Sequence, residues 1–159
     1  MGDIIPTGGN AVSDELMNQL ASVEILSRLT LPEISGMAQS AEIRHYEPGK
    51  AIIEFADESQ NVFFLISGTA RVNNYTLTAA PVTLRLLEAG SYFGELSAID
   101  GGPRSARVEA ETACTVVAIP PSVFLQVLSN HPSVLGKVLR NLAAMIRASN
   151  LTVLDHATL

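Results

Sequence analysis

The groups best equipped for chemistry in this chain lie in one run, residues 90–106, which reads Gly-Ser-Tyr-Phe-Gly-Glu-Leu-Ser-Ala-Ile-Asp-Gly-Gly-Pro-Arg-Ser-Ala. Gly90 and Gly94 let backbone amides approach a ligand closely, since no Cβ stands in the way. Glu95 follows, an acceptor-only group suited to a sugar hydroxyl. After Leu96 and Ser97, a second turn at Asp100-Gly101-Gly102-Pro103 delivers Arg104, with Ser105 and Ala106 behind it. The guanidinium is a planar fork of donors that matches phosphate oxygens two at a time. Successive amides in one concavity also favour an anion. A ligand with a phosphate at one end of a ribose would engage Arg104 and Glu95 together. The competing reading is a tight β-turn with a surface ion pair between Glu95 and Arg104.

This chemistry is binding rather than bond-making. His45, His131 and His156 are far apart and no His-x-His pair occurs, which argues against a metal site. No Ser-His-Asp or Cys-His order comes with a nucleophile turn, and no carboxylate pair has an acid/base setting, so an enzyme is not expected.

The elements that must position the run are strands. From residue 41 the apolar period is two and turns are frequent, which predicts strands at 43–46, 51–55, 61–67, 69–73, 82–87 and 107–119, with a hairpin connection at 74–81. About eight short strands of this kind make a sandwich or rolled barrel, a jelly roll, in a mainly β fold with flanking helices. Ser13 caps a short helix carrying Leu16, Met17 and Leu20, and Thr30 with Glu33 forms a capping box before Leu31, Ile34 and Met37. Residues 1–12 have no periodicity and read as a flexible, unpaired arm.

Pro120-Pro121-Ser122 ends the last strand, and Val123, Phe124, Val127 and Leu128 give one helical face before Asn130-His131-Pro132 stops it. In residues 133–159, Leu135, Leu139, Leu142, Ile146, Ser149 and Val153 step by four and three in alternation, the seam of a coiled coil, with Val134, Val138 and Met145 widening it. Such a stripe predicts a homodimer along this helix. The alternative is that the helix lies back on its own barrel.

Composition sets outer limits. Apolar residues are 47% and charged ones 16%, so the chain should fold. A net charge of -6 without a basic run argues against gripping nucleic acid directly; DNA would have to be bound by a domain absent from these residues. The single cysteine, Cys114, excludes an internal disulfide and sits in an apolar run, as a buried structural thiol would. No leader or membrane-spanning stretch is read, and the expected location is cytoplasmic.

Phe93-Gly94-Glu95-Leu96, followed by Pro103-Arg104-Ser105-Ala106, resembles the phosphate-binding cassette of cyclic nucleotide-binding domains, as in catabolite activator proteins and the regulatory subunits of protein kinase A. The Glu-to-Arg spacing is similar to the kinase-subunit version and Arg-Ser-Ala to the bacterial one. Pro48-Gly49, the run 63–68 and Gly90 fall where that family keeps its turns. The resemblance implies a double-stranded β-helix at 13–132 and a dimerisation helix with the start of a hinge at 133–159. It also implies that Arg104, Ser105 and amides near Ala106 hold a cyclic phosphate, that Glu95 takes the ribose hydroxyl, and that Gly94, Leu96 and Ser97 line the site. Ser149 and Asn150 would meet the base from the long helix. The implied ligand is cAMP, with cGMP as the alternative, and no metal. The implied role is the sensing and dimerisation part of a catabolite-activator-like transcription regulator, or a module of another signalling protein; a same-fold sensor of another effector is the rival. Two positions depart from the pattern: Ala56-Asp57 replaces the usual Gly-Asp, and Ser91 replaces an acid.

Overall fold

Period-two alternation from residue 42 onward builds two antiparallel sheets, and the helices close over one of them. The computed structural model describes residues 3–6, 14–75 and 81–157, with side chains described at 14–73 and 85–148. In chain order these are β1 (Asp3–Pro6), α1 (Asp14–Ala21), a 3₁₀ turn (Glu24–Leu26), α2 (Leu31–Ala38), β2 (Glu42–Tyr46), β3 (Ala51–Ile53), β4 (Val62–Ser67) and β5 (Ala70–Tyr75). There follow β6 (Pro81–Leu87), β7 (Tyr92–Phe93), α3 (Glu95–Asp100), β8 (Arg107–Ala110), β9 (Cys114–Ile119), α4 (Pro121–Asn130) and α5 (Pro132–Ala157). One sheet has the order β1-β2-β9-β4-β7 and the other β3-β8-β5-β6.

Strands β4 and β9 are buried on both faces, which is why they read as continuous apolar runs. Phe63, Leu65, Val116 and Ala118 point between the sheets and meet Ile53, Val72 and Val108. Val62, Phe64, Val117 and Ile119 point the other way and meet Leu16, Leu20, Ile34, Met37, Phe124 and Leu128 from the helices. The capping box of α2 forms as expected: Glu33 N donates to Thr30 Oγ1 and Thr30 N donates to Glu33 Oε1 at 2.8 Å.

Several expectations are corrected. Asp3–Pro6 is not an unpaired arm but an edge strand on β2, with Asp3 opposite His45 and Pro6 opposite Glu42. Four residues are too few for periodicity to register, whereas the open edge of β2 offers a row of backbone partners. The rest of 1–12 lies outside the described residues. The expected strand 107–119 is two strands in different sheets, because the chain crosses over at residues 111–113. There Glu111 N and Thr112 N both donate to Thr69 O, at 2.8 and 3.1 Å. The crossing runs so close to Gly68 that a Cβ there would sit 2.2 Å from Ala113 O. The strand expected at 51–55 ends at Ile53, and Ala56 takes a left-handed φ of 65°. Of the expected connection 74–81, Asn74, Tyr75 and Pro81 belong to strands, and 76–80 lie outside the described residues.

Helix α5 runs through Ala157, over the first positions of the expected hinge at 155–159, of which the last two lie outside the described residues. Its apolar residues divide into two stripes. Val134 and Val138 are each 1% exposed in the helix-side core, while Leu139 is 56% and Ile146 61% exposed. On a helix these stripes stand roughly 100° apart. Val134 and Val138 therefore do not widen the seam; they dock α5 on its own roll. Leu135 stays on the exposed stripe and Leu142 lies between the two, partly packed on the helix-side core. The side chains of Ser149, Asn150 and Val153 lie outside the described residues. No helix among the described residues is long and apolar enough to cross a membrane.

Candidate functional site

The cassette is hung on β4. Gly90 N donates to Leu65 O at 2.8 Å and Leu65 N donates to Ser91 O at 2.9 Å, after which β7 pairs Phe93 with Phe63. Gly94 then opens α3 with φ 85°, and a Cβ at this position would lie 2.9 Å from Asn61 O and 3.0 Å from Arg104 Nη1. Conformation and space both demand glycine here. Helix α3 closes on Gly101, whose N–H donates to Ser97 O at 3.0 Å, and Gln60 Nε2 braces that turn by donating to Gly101 O at 3.2 Å.

The chain returns to Arg104 through a backbone clamp with the turn after β3. Arg104 N donates to Asp57 O at 2.8 Å and Ala56 N donates to Arg104 O at 3.0 Å. The guanidinium is then held by three side-chain bonds: Nη1 to Gly94 O at 2.9 Å, Nη2 to Asn61 O at 2.8 Å and Nε to Ser59 Oγ at 3.2 Å. Its carbon stands 5.9 Å from the centroid of the Phe63 ring, which itself stacks on Phe93 at 5.3 Å.

Glu95 is 7% exposed and Arg104 3%. Among the described residues Arg104 makes no ion pair, so the reading of a surface ion pair with Glu95 is overturned. Burial pushes the Glu95 carboxyl up from the ordinary range, against the pull of Arg85, its own backbone amide and Arg104. Burial likewise weakens the proton hold of Arg104, which Asp57 and Glu95 oppose; the group remains a cation. The site thus contains a buried positive charge whose donors go to neutral oxygens, next to a buried acid.

Of the other expected site residues, Ser97 is on the buried face of α3, Leu96 is half-buried, Ser105 is exposed and Ala106 packs against the inter-sheet core. The structure brings Gly94, Glu95 and Arg104 together with three residues that the sequence reading did not single out for the site: Ser59, Asn61 and Phe63. A polar turn at 57–60 just before a buried strand was the available signal. Ser149 and Asn150 sit on α5, but their side chains lie outside the described residues. Cys114 is buried, and burial raises its thiol; Sγ donates to Thr69 O and Thr112 O, each at 3.3 Å. Among the described residues no group of three or more His, Cys, Asp or Glu could hold a metal ion.

The family model described as "Cyclic nucleotide-binding domain" matches residues 43–131, from β2 through α4. This chain belongs to the cyclic nucleotide-binding domain family. Over 138 residues it is 31% identical to glutaminase 1 of Bradyrhizobium diazoefficiens, covering 87% of this chain and 22% of that protein. Over 111 residues it is 34% identical to the cAMP-dependent protein kinase regulatory subunit of Pyricularia oryzae, covering 70% of this chain and 28% of that one. The crystal structure of Thermus thermophilus catabolite activator protein superposes with a TM-score of 0.71 at 28% identity, covering 81% of this chain and 61% of that one. The chain therefore spans under a third of those curated relatives, and the family match rests on the cassette and the roll that carries it.

Proposed function

We propose that this domain senses a cyclic nucleotide, cAMP, and passes its occupancy to whatever is joined to it. The observation that carries the reading is Arg104, a cation 3% exposed with no carboxylate partner among the described residues. An isolated buried charge is costly, and a cyclic phosphate beside it would supply the counter-charge while the amides that open α3 and exposed Ser105 add donors. Glu95 accepts from the ribose hydroxyl, Gly94, Leu96 and Ser97 shape the wall, and Ser149 with Asn150 approaches the base from α5. The exposed stripe of Leu135, Leu139 and Ile146 pairs with a second copy of the chain, with Leu142 at the inner edge of that contact and Val153 joining it farther along α5. The module is regulatory, works in the cytoplasm, needs no metal, and would reach DNA only through a further domain, as in a catabolite-activator-like regulator. A second reading, a module of a kinase-type or other signalling protein, is favoured by the 34% identity to a kinase regulatory subunit.

Parallel calorimetric titrations with cAMP and cGMP test the proposal. Wild type should give saturable heat, stronger for cAMP. Arg104→Ala should lose on the order of 2–5 kcal/mol of binding, because the phosphate charge is left without its partner. Absence of heat and of any thermal shift with both nucleotides would refute the reading, and near-wild-type affinity in Arg104→Ala would refute the assigned role.

A further inference from the structure

Tyr92 precedes Phe93-Gly94-Glu95 in the cassette, and its side chain leaves the cassette toward α5. Asn141 Nδ2 donates to Tyr92 Oη at 2.8 Å. The backbone of Tyr92 is fixed at the same time, paired with Phe64 in β4. This hydrogen bond therefore joins the strand that delivers Glu95 directly to the long helix.

Its place on the helix gives it leverage. Asn141 lies seven residues after Val134 and three after Val138, close to two turns and one turn along the docked face of α5. The same face carries Lys137, whose Nζ donates to Glu24 O at 3.0 Å, but that tether reaches the 3₁₀ turn and not the cassette. The stripe alongside, with Leu139 56% and Ile146 61% exposed, turns with the docked face because both belong to one rigid helix.

Tyr92 is also in the electrostatic field of the site. Burial raises its hydroxyl and keeps it a neutral phenol, the bond from Asn141 opposes this, and the carboxylate of Glu95 and the cation of Arg85 act on it in opposite senses. Arg85 is also the foremost charge opposing burial at Glu95. The hydroxyl that Asn141 holds therefore feels the same two charges, Glu95 and Arg85, that belong to the cassette's surroundings.

We infer that Tyr92 is a positioning residue that couples occupancy of the Glu95–Arg104 site to helix α5 through its hydrogen bond with Asn141. The inference rests on the nucleotide reading above and names the route by which that site would act on the helix. Ligand drawn onto Glu95 fixes β7, β7 fixes Tyr92, and Tyr92 fixes the docked face of α5. Coupling is reciprocal, so cutting the link must be felt at both ends.

The test combines nucleotide titration with hydrogen exchange of the α5 amides in wild type, Tyr92→Phe, Asn141→Ala, the double variant and Lys137→Met. In wild type, nucleotide changes the exchange of α5 amides around residue 141. In Tyr92→Phe and Asn141→Ala this response disappears and affinity falls about fivefold, as a site loses preorganisation. The double variant matches the singles, because all three lack one bond. Lys137→Met speeds basal exchange but keeps both the response and the affinity. Retention of the response in Tyr92→Phe, additive losses in the double variant, or an equal loss in Lys137→Met overturns the coupling role. No heat from wild type with cAMP or cGMP overturns the nucleotide reading and the inference with it, whereas heat with an intact response in Tyr92→Phe overturns the inference alone.

Discussion

Replacing Ala56 by glycine should stabilise this protein, against the usual direction of such a change. Ala56 has φ 65°, the one non-glycine residue at positive φ among those described. Holding an L-residue there costs on the order of 1–2 kcal/mol. Glycine removes that strain but adds freedom to the unfolded chain, which returns about 0.4–1 kcal/mol. The Ala56 side chain is exposed, so no packing is lost. The net expectation is a gain of about 0.5–1 kcal/mol. With a urea m-value of about 2 kcal/mol/M, the unfolding midpoint should rise by about 0.3–0.5 M at unchanged slope. Because Ala56 N bonds Arg104 O at 3.0 Å, the strain is kept in place by the same clamp that delivers the arginine. Urea titration of the two proteins side by side decides the matter: a midpoint equal to or below that of wild type would show that the turn is relaxed with alanine and that the argument from φ is wrong.

Glu95→Gln should separate stability from binding. The folded-state pKa of Glu95 lies above its unfolded value, so its favourable contribution is present at low pH and is lost as pH rises through the folded pKa. The glutamine variant should therefore unfold later than wild type at neutral pH, with the gap closing as pH falls from the raised folded pKa down to the ordinary carboxylate value; a constant gap across thermal melts would contradict this. It should also bind nucleotide more weakly than wild type but better than Arg104→Ala, since an amide oxygen still accepts. Leu139→Glu places a charge on the exposed stripe of α5 and should halve the mass seen by light scattering without lowering the melting temperature of the roll. Leu142 is a poorer choice, because it also touches the chain's own core. An unchanged mass in Leu139→Glu would refute pairing through this stripe.

Much of this architecture was readable because its signals are local. Turn glycines, the Thr30–Glu33 capping box and period-two alternation each rest on a few adjacent residues, and each appears where the chain suggested it. Harder to read was whatever depends on two distant segments meeting. The crossing at 111–113 hides inside a continuous apolar-rich run, since nothing local distinguishes a strand that changes sheet from one that continues. The edge strand Asp3–Pro6 exists because β2 has a free side, a property of the sheet and not of those four residues. In α5 the spacing disclosed a broad apolar surface, but dividing it between Val134 and Val138 inside and Leu139 and Ile146 outside requires knowing where the roll stands. The cassette named its own acid and arginine, while Ser59 and Asn61, which hold the arginine, come from more than 40 residues earlier in the chain.

The seat of Arg104 also bears on the conditions under which the site keeps its shape. An arginine aligned by a carboxylate loses its guide when acid protonates that partner or salt screens it. Here the guides are Gly94 O, Asn61 O and Ser59 Oγ, none of which titrates in ordinary buffers. The direction of the guanidinium is written into the path of the backbone, so brine and mild acid should leave the anchor pointing the same way while they change everything around it that carries charge.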